Sequence, residues 1–402
     1  MKKALYKLLA VTLSLSLCSG VFAVAAYAKE ASPESMHYNT YTVMGDSIAA
    51  GYATDNYWGG EIGKVDDDRV VEGTYADLVS QGVNAKNTIP IAHCGWRTTE
   101  MLRVLQDDFT LEDDTGLLQG LSEYCLTALY SMPDEELYVK DKDGEWAVDE
   151  NGLRIIRPSV KEHYKKSIQS ADLITLQVGC NDVYANALTE TVVKYEYLLK
   201  AAGTLNKKLQ GMESLEEAFD TLLKLAEVYG LLSNVLAIYF DALENGFTTY
   251  KEYMPQVIDE IQKLNPDAKL LIVGVANPAS ATGSRPVKIW DYSEIYAARM
   301  NSFDQKLAEE KGCLFAKCNS IDYYGLSALD ADMSPSDENY KYLLVKMSHP
   351  TEEGHRQMAE EILNVLQEDW DSTVQETVAE MEEDTDALIK IELMVSLEIV
   401  IG

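Results

Sequence analysis

The chain is poor in basic residues and in histidine. Its 402 residues include 34 Lys and Arg against 66 Asp and Glu, which gives a formal net charge of −32. A surface of this sign repels phosphate backbones, so we expect no nucleic-acid partner. The 5 histidines form neither a His-Glu-x-x-His motif nor a pair at i, i+4. We therefore expect no metal site and no cofactor.

Cysteine is also sparse. The cysteines beyond residue 28 are odd in number and show no CxxC spacing, whereas a disulfide framework usually has an even, closely spaced set. Apolar runs long enough to cross a membrane are missing after the N-terminal segment. We interpret the cysteines as buried small hydrophobic side chains. They are Cys94, Cys125, Cys180, Cys313 and Cys318.

The first 28 residues predict a secretory signal peptide. Three lysines within the first seven residues precede the apolar run Leu8–Leu17, and Ala26-Tyr27-Ala28 is a small-x-small cleavage site. We expect cleavage after Ala28 and a secreted protein without a transmembrane segment. Lipid anchoring at Cys18 is the alternative, but Leu17 stands where that modification requires a small side chain.

Four short apolar runs predict buried parallel strands. Longer helix-like segments separate them, and this alternation indicates an α/β sheet covered by helices on both faces. In such sheets ligands bind at the carboxyl ends of the strands, so functional residues are expected directly after these runs. The runs are Tyr41–Met44, Leu173–Val178, Leu270–Val275 and Cys313–Ala316.

The segments around these strands suggest one main domain, residues 29–368, followed by an acidic tail, residues 369–402. Residues 103–166 are predicted to be an insertion, in which Asp141-Lys142-Asp143-Gly144 indicates a hairpin or surface loop. Residues 186–262 are predicted to be a helical insertion, with a capping box formed by Ser214 and Glu217. Its helices either form a lid or add to the core, and we favour the core because an apolar helical stripe is usually buried.

The motif Gly45-Asp46-Ser47 follows the first predicted strand directly. A serine on such a turn is exposed at the edge of the sheet, and a nearby base would make its hydroxyl a nucleophile. The alternative is a structural N-cap serine, which is common where a strand leads into a helix. The motif differs from the nucleophile elbow Gly-x-Ser-x-Gly, because Ala49 stands where that motif requires glycine.

Three further elements supply groups that such a serine needs. Asn181, in Gly179-Cys180-Asn181-Asp182, follows a buried strand and can donate its amide N–H to an oxyanion. Gly95 lies at a turn where its backbone N–H can approach a ligand closely. His349 precedes a proline, which places it in an extended loop ahead of an apparent helix.

These four elements, in this order, resemble the SGNH/GDSL hydrolase superfamily over roughly residues 38–368. The resemblance implies a three-layer α/β/α sandwich with a mainly parallel, flavodoxin-like sheet, and a bacterial lipase or esterase acting on small-molecule, lipid or glycan esters. Ser47 would be the nucleophile and His349 the general base. The Ser47 N–H, the Gly95 N–H and the Asn181 side chain would form the oxyanion hole.

One position departs from the family pattern, which has an acid three residues before the histidine. Lys346 stands there. A backbone carbonyl could orient His349 and give a Ser–His dyad, or a carboxylate from Asp330, Asp332 or Asp337 could reach the ring, or the site could be inactive. We favour the dyad, because loss of the third member lowers the rate without abolishing the mechanism.

The same pattern leaves other residues and functions open. An inactive binding protein of this fold and a carbohydrate O-acetyl esterase are the alternative functions. His93 either lines the pocket or packs beside it, and we expect His355 to be structural. Aromatic residues near the serine either contact the substrate or only pack: Tyr52, Tyr57, Trp58 and Trp96.

Overall fold

The computed structural model describes residues 36–52, 54, 56, 70–109, 137–150, 154–187, 190–191, 232–277, 289–318, 349–373 and 375. The chain forms two compact units. The larger unit is His37–Leu363, and the smaller consists of Met1–Met36 with Asn364–Gly402. The predicted signal peptide, the capping box at Ser214 and almost all of the acidic tail lie outside the described residues, so these remain predictions.

The larger unit is built on a five-stranded sheet in which all neighbouring strands are parallel. The strands are β1 (Thr40–Gly45), β2 (Asn87–Ala92), β3 (Leu173–Gln177), β4 (Lys269–Val273) and β5 (Leu314–Ala316). Their order across the sheet is β2-β1-β3-β4-β5. The chain therefore reverses its direction of progress between β1 and β3, and such switch points hold the ligand sites of doubly wound folds.

Helices cover both faces of this sheet. Thr42 donates its hydroxyl to the Ser167 carbonyl of one helix, whereas Tyr75 of another lies beside Tyr41 and Thr175. Neighbouring strand residues point to opposite faces, so these two helices lie on opposite sides. The main helices in the described part of the chain are α1 (Tyr75–Gly82), α2 (Thr98–Leu105), α3 (Pro158–Gln169), α4 (Leu232–Leu264), α5 (Ile289–Lys311) and α6 (residues 352–373, of which 352–363 belong to the larger unit), with a π-helical turn at Asn181–Ala185.

The fold confirms the predicted three-layer α/β class. All five residues of β3 are buried, as are the last four of β4, because both strands lie inside the sheet with helices on each face. Strand β2 was not predicted from the sequence. Pro90 lies in its middle and cannot donate a ladder hydrogen bond, which β2 tolerates because it is an edge strand paired only with β1.

The described parts of the two predicted insertions contain core elements. Residues 103–105 end α2 and residues 158–166 begin α3, and both helices bury apolar side chains. Between them, Asp141 accepts hydrogen bonds from Asp143 N–H and Glu145 N–H, forming a tight turn between antiparallel bridges. In the second segment, α4 contributes a buried stripe to the core that includes Tyr239, Tyr250 and Ile261.

The described residues include four of the five cysteines beyond residue 28. The four cysteines that fall within them, Cys94, Cys180, Cys313 and Cys318, form no disulfide, and two are buried and two partly buried. None of the helices in this part of the chain is long and apolar enough to cross a membrane.

Candidate active site

The turn after β1 places Ser47 at the switch point of the sheet. At its base, the Asp46 N–H donates to the Gln177 carbonyl at 3.0 Å, which joins the turn to the end of β3. Gly45 lies so close to that strand that a Cβ there would collide with the same carbonyl oxygen. Glycine is therefore required at this position for β1 and β3 to hold the serine between them.

Asp46, rather than Ser47, caps this turn. Its Oδ1 accepts the Ile48 N–H at 2.9 Å, which is the bond that an N-cap side chain makes. The Ser47 hydroxyl is thus not used for capping. Its Oγ lies 2.8 Å from His349 Nε2, which is hydrogen-bond distance. The nucleophile and base candidates, 302 residues apart in the chain, are therefore in contact.

The His349 ring is held from the side of the same turn. Tyr52 donates its N–H to the Ser47 carbonyl at 2.9 Å, and its ring meets the imidazole edge-on with centroids 4.9 Å apart. Tyr52 is only 2% exposed, so it packs against the histidine instead of lining an open mouth. Two residues after His349, the Thr351 hydroxyl oxygen accepts the Gly354 N–H at 3.2 Å and caps the start of α6.

Gly95 lies in the turn that follows β2. Its φ of 77° is in the left-handed region, which glycine adopts without strain. The turn is held by the His93 N–H on the Gly45 carbonyl at 3.0 Å and by the Trp96 N–H on the His93 carbonyl at 3.2 Å. Within the described part of the chain, neither the Ser47 N–H nor the Gly95 N–H donates a hydrogen bond, so both donors remain available.

Asn181 opens the π-helical turn after β3. Its Nδ2 donates to the Trp96 carbonyl at 3.0 Å, which links it to the turn carrying Gly95. A side-chain amide has two N–H donors, so the second remains for another acceptor. The structure thus brings the Gly95 and Asn181 turns together at the edge of the sheet where Ser47 lies.

Two buried carboxyls lie next to these residues. Burial raises the pKa of Asp46 to about 8, although the Ile48 N–H opposes the rise and the nearby Asp182 adds to it. Burial also raises the pKa of Asp182 to about 6, against the hydrogen bonds from Thr98 and the charge of Arg97. Asp182 accepts the Thr98 hydroxyl at 2.5 Å and the Thr98 N–H at 3.2 Å.

The remaining candidates are packing residues where the structure describes them. His93 lies against Trp96 and Tyr164 with ring centroids 4.5 and 5.8 Å away, and burial lowers its pKa to about 3. His93 and Trp96 are both buried, which favours their packing interpretation. His355 is fully buried and its Nδ1 accepts the Tyr75 N–H at the start of α1, as expected for a structural histidine.

Several predicted residues lie outside the described part of the chain. They include Lys346 and the three candidate acids, Asp330, Asp332 and Asp337. Two of the aromatic residues near the serine, Tyr57 and Trp58, also lie outside the described residues. In the described ranges, no group of three or more His, Cys, Asp and Glu side chains is arranged to hold a metal ion.

No role was predicted from the sequence for Asp46, Asp182 or Thr98. An aspartate two residues before the Ile48 N–H, at a strand-to-turn junction, is a capping signal that could have identified the first. The contact between Asp182 and Thr98 joins residues 84 apart in the chain. No local pattern predicts a contact of that range.

An all-parallel α/β sheet with a serine and a histidine in contact at its switch point is typical of hydrolytic enzymes with a serine nucleophile. The chain belongs to the GDSL-like lipase/acylhydrolase family, which it matches over residues 41–362. This membership supports an ester hydrolase. No curated protein sequence matches the chain significantly.

Solved structures with a related fold include lipases and esterases. The chain is 15% identical to an extracellular lipase from Streptomyces rimosus, over 82% of this chain and 99% of that one, with a TM-score of 0.43. It is 14% identical to a phospholipase A1 from Streptomyces albidoflavus, over 82% and 99%, with a TM-score of 0.43. An acetylxylan esterase from Geobacillus stearothermophilus is 12% identical, over 82% and 95%, with a TM-score of 0.34. Similarity at this level carries no conclusion about the substrate.

Proposed function

We propose that this chain hydrolyses carboxylic esters with Ser47 as the nucleophile and His349 as the general base. The observation that carries the proposal is the 2.8 Å separation of Ser47 Oγ and His349 Nε2. A serine hydroxyl is a weak nucleophile until a base in hydrogen-bond contact accepts its proton. The capping bond from Asp46 supports the proposal further, because it leaves the serine hydroxyl to the histidine.

In the proposed reaction, Ser47 Oγ forms a bond to the acyl carbon while its proton passes to His349 Nε2. The carbonyl oxygen becomes an oxyanion in a tetrahedral intermediate. When the ester C–O bond breaks, the alcohol leaves with the proton from His349. Water, deprotonated by the same nitrogen, then attacks the acyl-enzyme and releases the acid, which restores the Ser47 hydroxyl.

The oxyanion is proposed to bind the Ser47 N–H, the Gly95 N–H and the second N–H of the Asn181 amide. The two backbone donors have no other described acceptor, and the amide is anchored through its first N–H to Trp96. Donors fixed before the reaction stabilise charge that develops in the transition state without reorganising.

We propose a Ser47–His349 dyad in which a backbone carbonyl accepts the hydrogen bond from His349 Nδ1. The alternative is that a carboxylate from Asp330, Asp332 or Asp337 accepts it. The described contacts already restrain the ring from two sides, through its bond to Ser47 and the edge of Tyr52. A ring that packing holds in place depends less on a third hydrogen-bonding partner for its orientation.

A fluorophosphonate probe tests the nucleophile. We expect labelling of the wild-type protein and its loss in Ser47→Ala, together with loss of p-nitrophenyl ester hydrolysis. Ser302→Ala is the matched control, because that exposed serine on α5 only donates to the Ala298 carbonyl within its own helix. An unlabelled wild-type protein, or labelling that survives Ser47→Ala, would support the inactive binding protein instead.

Substrate class and export complete the proposal. Comparing acetyl, butyryl and long-chain p-nitrophenyl esters with an acetylated glycan separates a lipase from a short-chain esterase and from a carbohydrate O-acetyl esterase.

The sequence of residues 1–28 supports secretion, with processing after Ala28. N-terminal sequencing of protein from the culture medium should therefore begin at Lys29, and retention of the first 28 residues would contradict it.

A further inference from the structure

The carboxylate of Asp182 joins two loops that the sheet itself does not connect. Asp182 directly follows Asn181 after β3, and Thr98 begins α2 directly after the turn that carries Gly95. Strand β1 lies between β2 and β3, so no ladder hydrogen bond links the strands from which these loops emerge. Both loops are joined to the end of β1 by backbone hydrogen bonds, from Asp46 N–H to Gln177 and from His93 N–H to Gly45, and side-chain contacts between the loops further restrain the distance between them.

The contact between Asp182 and Thr98 is extensive and buried. Both carboxylate oxygens lie 3.2 Å from the Thr98 N–H, and Oδ1 also accepts the Thr98 hydroxyl at 2.5 Å. Asp182 is 2% exposed and Thr98 is fully buried. Hydrogen bonds to a carboxylate shielded from water are stronger and more directional than bonds between neutral groups.

Further contacts hold the start of α2. Arg97 and Glu100 form a buried ion pair at 3.2 Å, and Glu100 also accepts the Arg97 N–H at 3.0 Å. A carboxylate beside the first N–H groups of a helix interacts favourably with the helix dipole. Asp182 therefore contacts the loop that carries Gly95 at a helix start that other bonds also hold in place.

We propose that Asp182 is a positioning residue, which acts through Thr98 to hold the Gly95 N–H and the Asn181 amide at the separation that an oxyanion requires. The inference rests on the proposed function, since it concerns the same oxyanion hole. The hydrogen bond from Asn181 to the Trp96 carbonyl is a second link between the same loops, so losing the Asp182 contact should loosen the site without dismantling it.

Replacing Thr98 tests this role. Thr98→Val removes the hydroxyl donor at nearly constant shape, and we expect kcat to fall about tenfold, less than the roughly 10²–10³-fold effect of losing an oxyanion donor. KM should change by no more than about twofold, because the lost interaction acts in the transition state. Thr98→Ser keeps the hydroxyl and should restore kcat to within about threefold.

Thr42→Val is the matched control. Thr42 is also fully buried, and its hydroxyl also donates one hydrogen bond, to the Ser167 carbonyl at 3.0 Å, on β1 away from the site. We expect both valine variants to lose stability in urea unfolding but only Thr98→Val to lose kcat. Affinity for a trifluoromethyl ketone, whose adduct mimics the oxyanion, should fall in Thr98→Val alone.

The outcomes separate this inference from the proposed function. If the wild-type protein hydrolyses esters and Thr98→Val has the same kcat as Thr42→Val, the positioning role of Asp182 is wrong, but the assignment of Ser47 as the nucleophile stands. If the wild-type protein neither hydrolyses esters nor reacts with the fluorophosphonate, the proposed function itself is wrong. Should Thr98→Val not fold, Asp182→Asn is judged by the same kcat, KM and inhibitor criteria.

Discussion

Asp46→Asn should stabilise the protein increasingly as the pH rises above 4. The Asp46 carboxyl is fully buried, its Oδ1 accepts the Ile48 N–H, and its Oδ2 has no hydrogen-bond partner among the described residues. Burial raises the pKa of this carboxyl from its ordinary 3.8 to about 8. The amide keeps the shape and the acceptor of the side chain but never becomes charged.

The sign and size of the effect follow from this pKa. A carboxyl with a raised folded-state pKa contributes stability that is fully present below its unfolded pKa and is lost as the pH rises through its folded pKa. Between these values, each pH unit costs the folded state about 1.4 kcal/mol. Over the window from about pH 4 to about pH 8 the loss from Asp46 reaches on the order of 5 kcal/mol, and Asp46→Asn avoids it.

The assay is urea unfolding of the wild-type protein and Asp46→Asn at several pH values from 5 to 7.5. The difference between their unfolding free energies cancels the titrating groups that do not interact with Asp46 and should grow by about 1.4 kcal/mol per pH unit. Asp304→Asn should show the same slope, because burial also raises the pKa of Asp304 to about 8. Glu353→Gln should show none, since its Arg356 contacts lower the Glu353 pKa to about 2. A difference that is constant over this range would refute the reasoning.

Two further predictions concern the site. Asn181→Ala should lower kcat by roughly 10²–10³-fold with a smaller change in KM, since it removes an oxyanion donor; steady-state kinetics that show less than a tenfold loss would contradict that role. If the dyad is correct, changing Asp330, Asp332 or Asp337 singly to Asn should leave p-nitrophenyl ester hydrolysis largely intact. A severe loss in one of these variants would identify the acid that orients His349.

Much of the fold was predictable because its strands are buried on both faces. The strand Leu173–Gln177 is mostly apolar in sequence, with Thr175 and Gln177 as its polar positions, and the loop after it carries Asn181 at the expected edge. The edge strand Asn87–Ala92 was not predicted, because its positions are mostly half-buried and Pro90 interrupts the pattern. Burial on both faces is visible in the sequence, whereas a partly exposed edge resembles a loop.

The candidate site was predictable only in part. Ser47 and Asn181 each follow a predicted strand, so their common location at one edge of the sheet follows from the rule for parallel sheets, whereas Gly95 follows β2, which was not predicted. The contact of Ser47 with His349 and that of Asp182 with Thr98 join distant parts of the chain. Such contacts depend on how the layers pack in three dimensions, and one sequence without pairing information does not contain them.

In the turn after β1, Asp46 caps the backbone while the adjacent Ser47 contacts His349. Had Ser47 capped the turn, its Oγ would accept a backbone N–H and would be directed away from His349. Because Asp46 makes that bond instead, the serine hydroxyl is left to the histidine. An ionised carboxylate so close to the site would oppose the negative charge of an oxyanion. The burial that raises the pKa of Asp46 to about 8 favours its neutral form near pH 7, so in the proposed mechanism the residue can cap the turn without opposing the oxyanion.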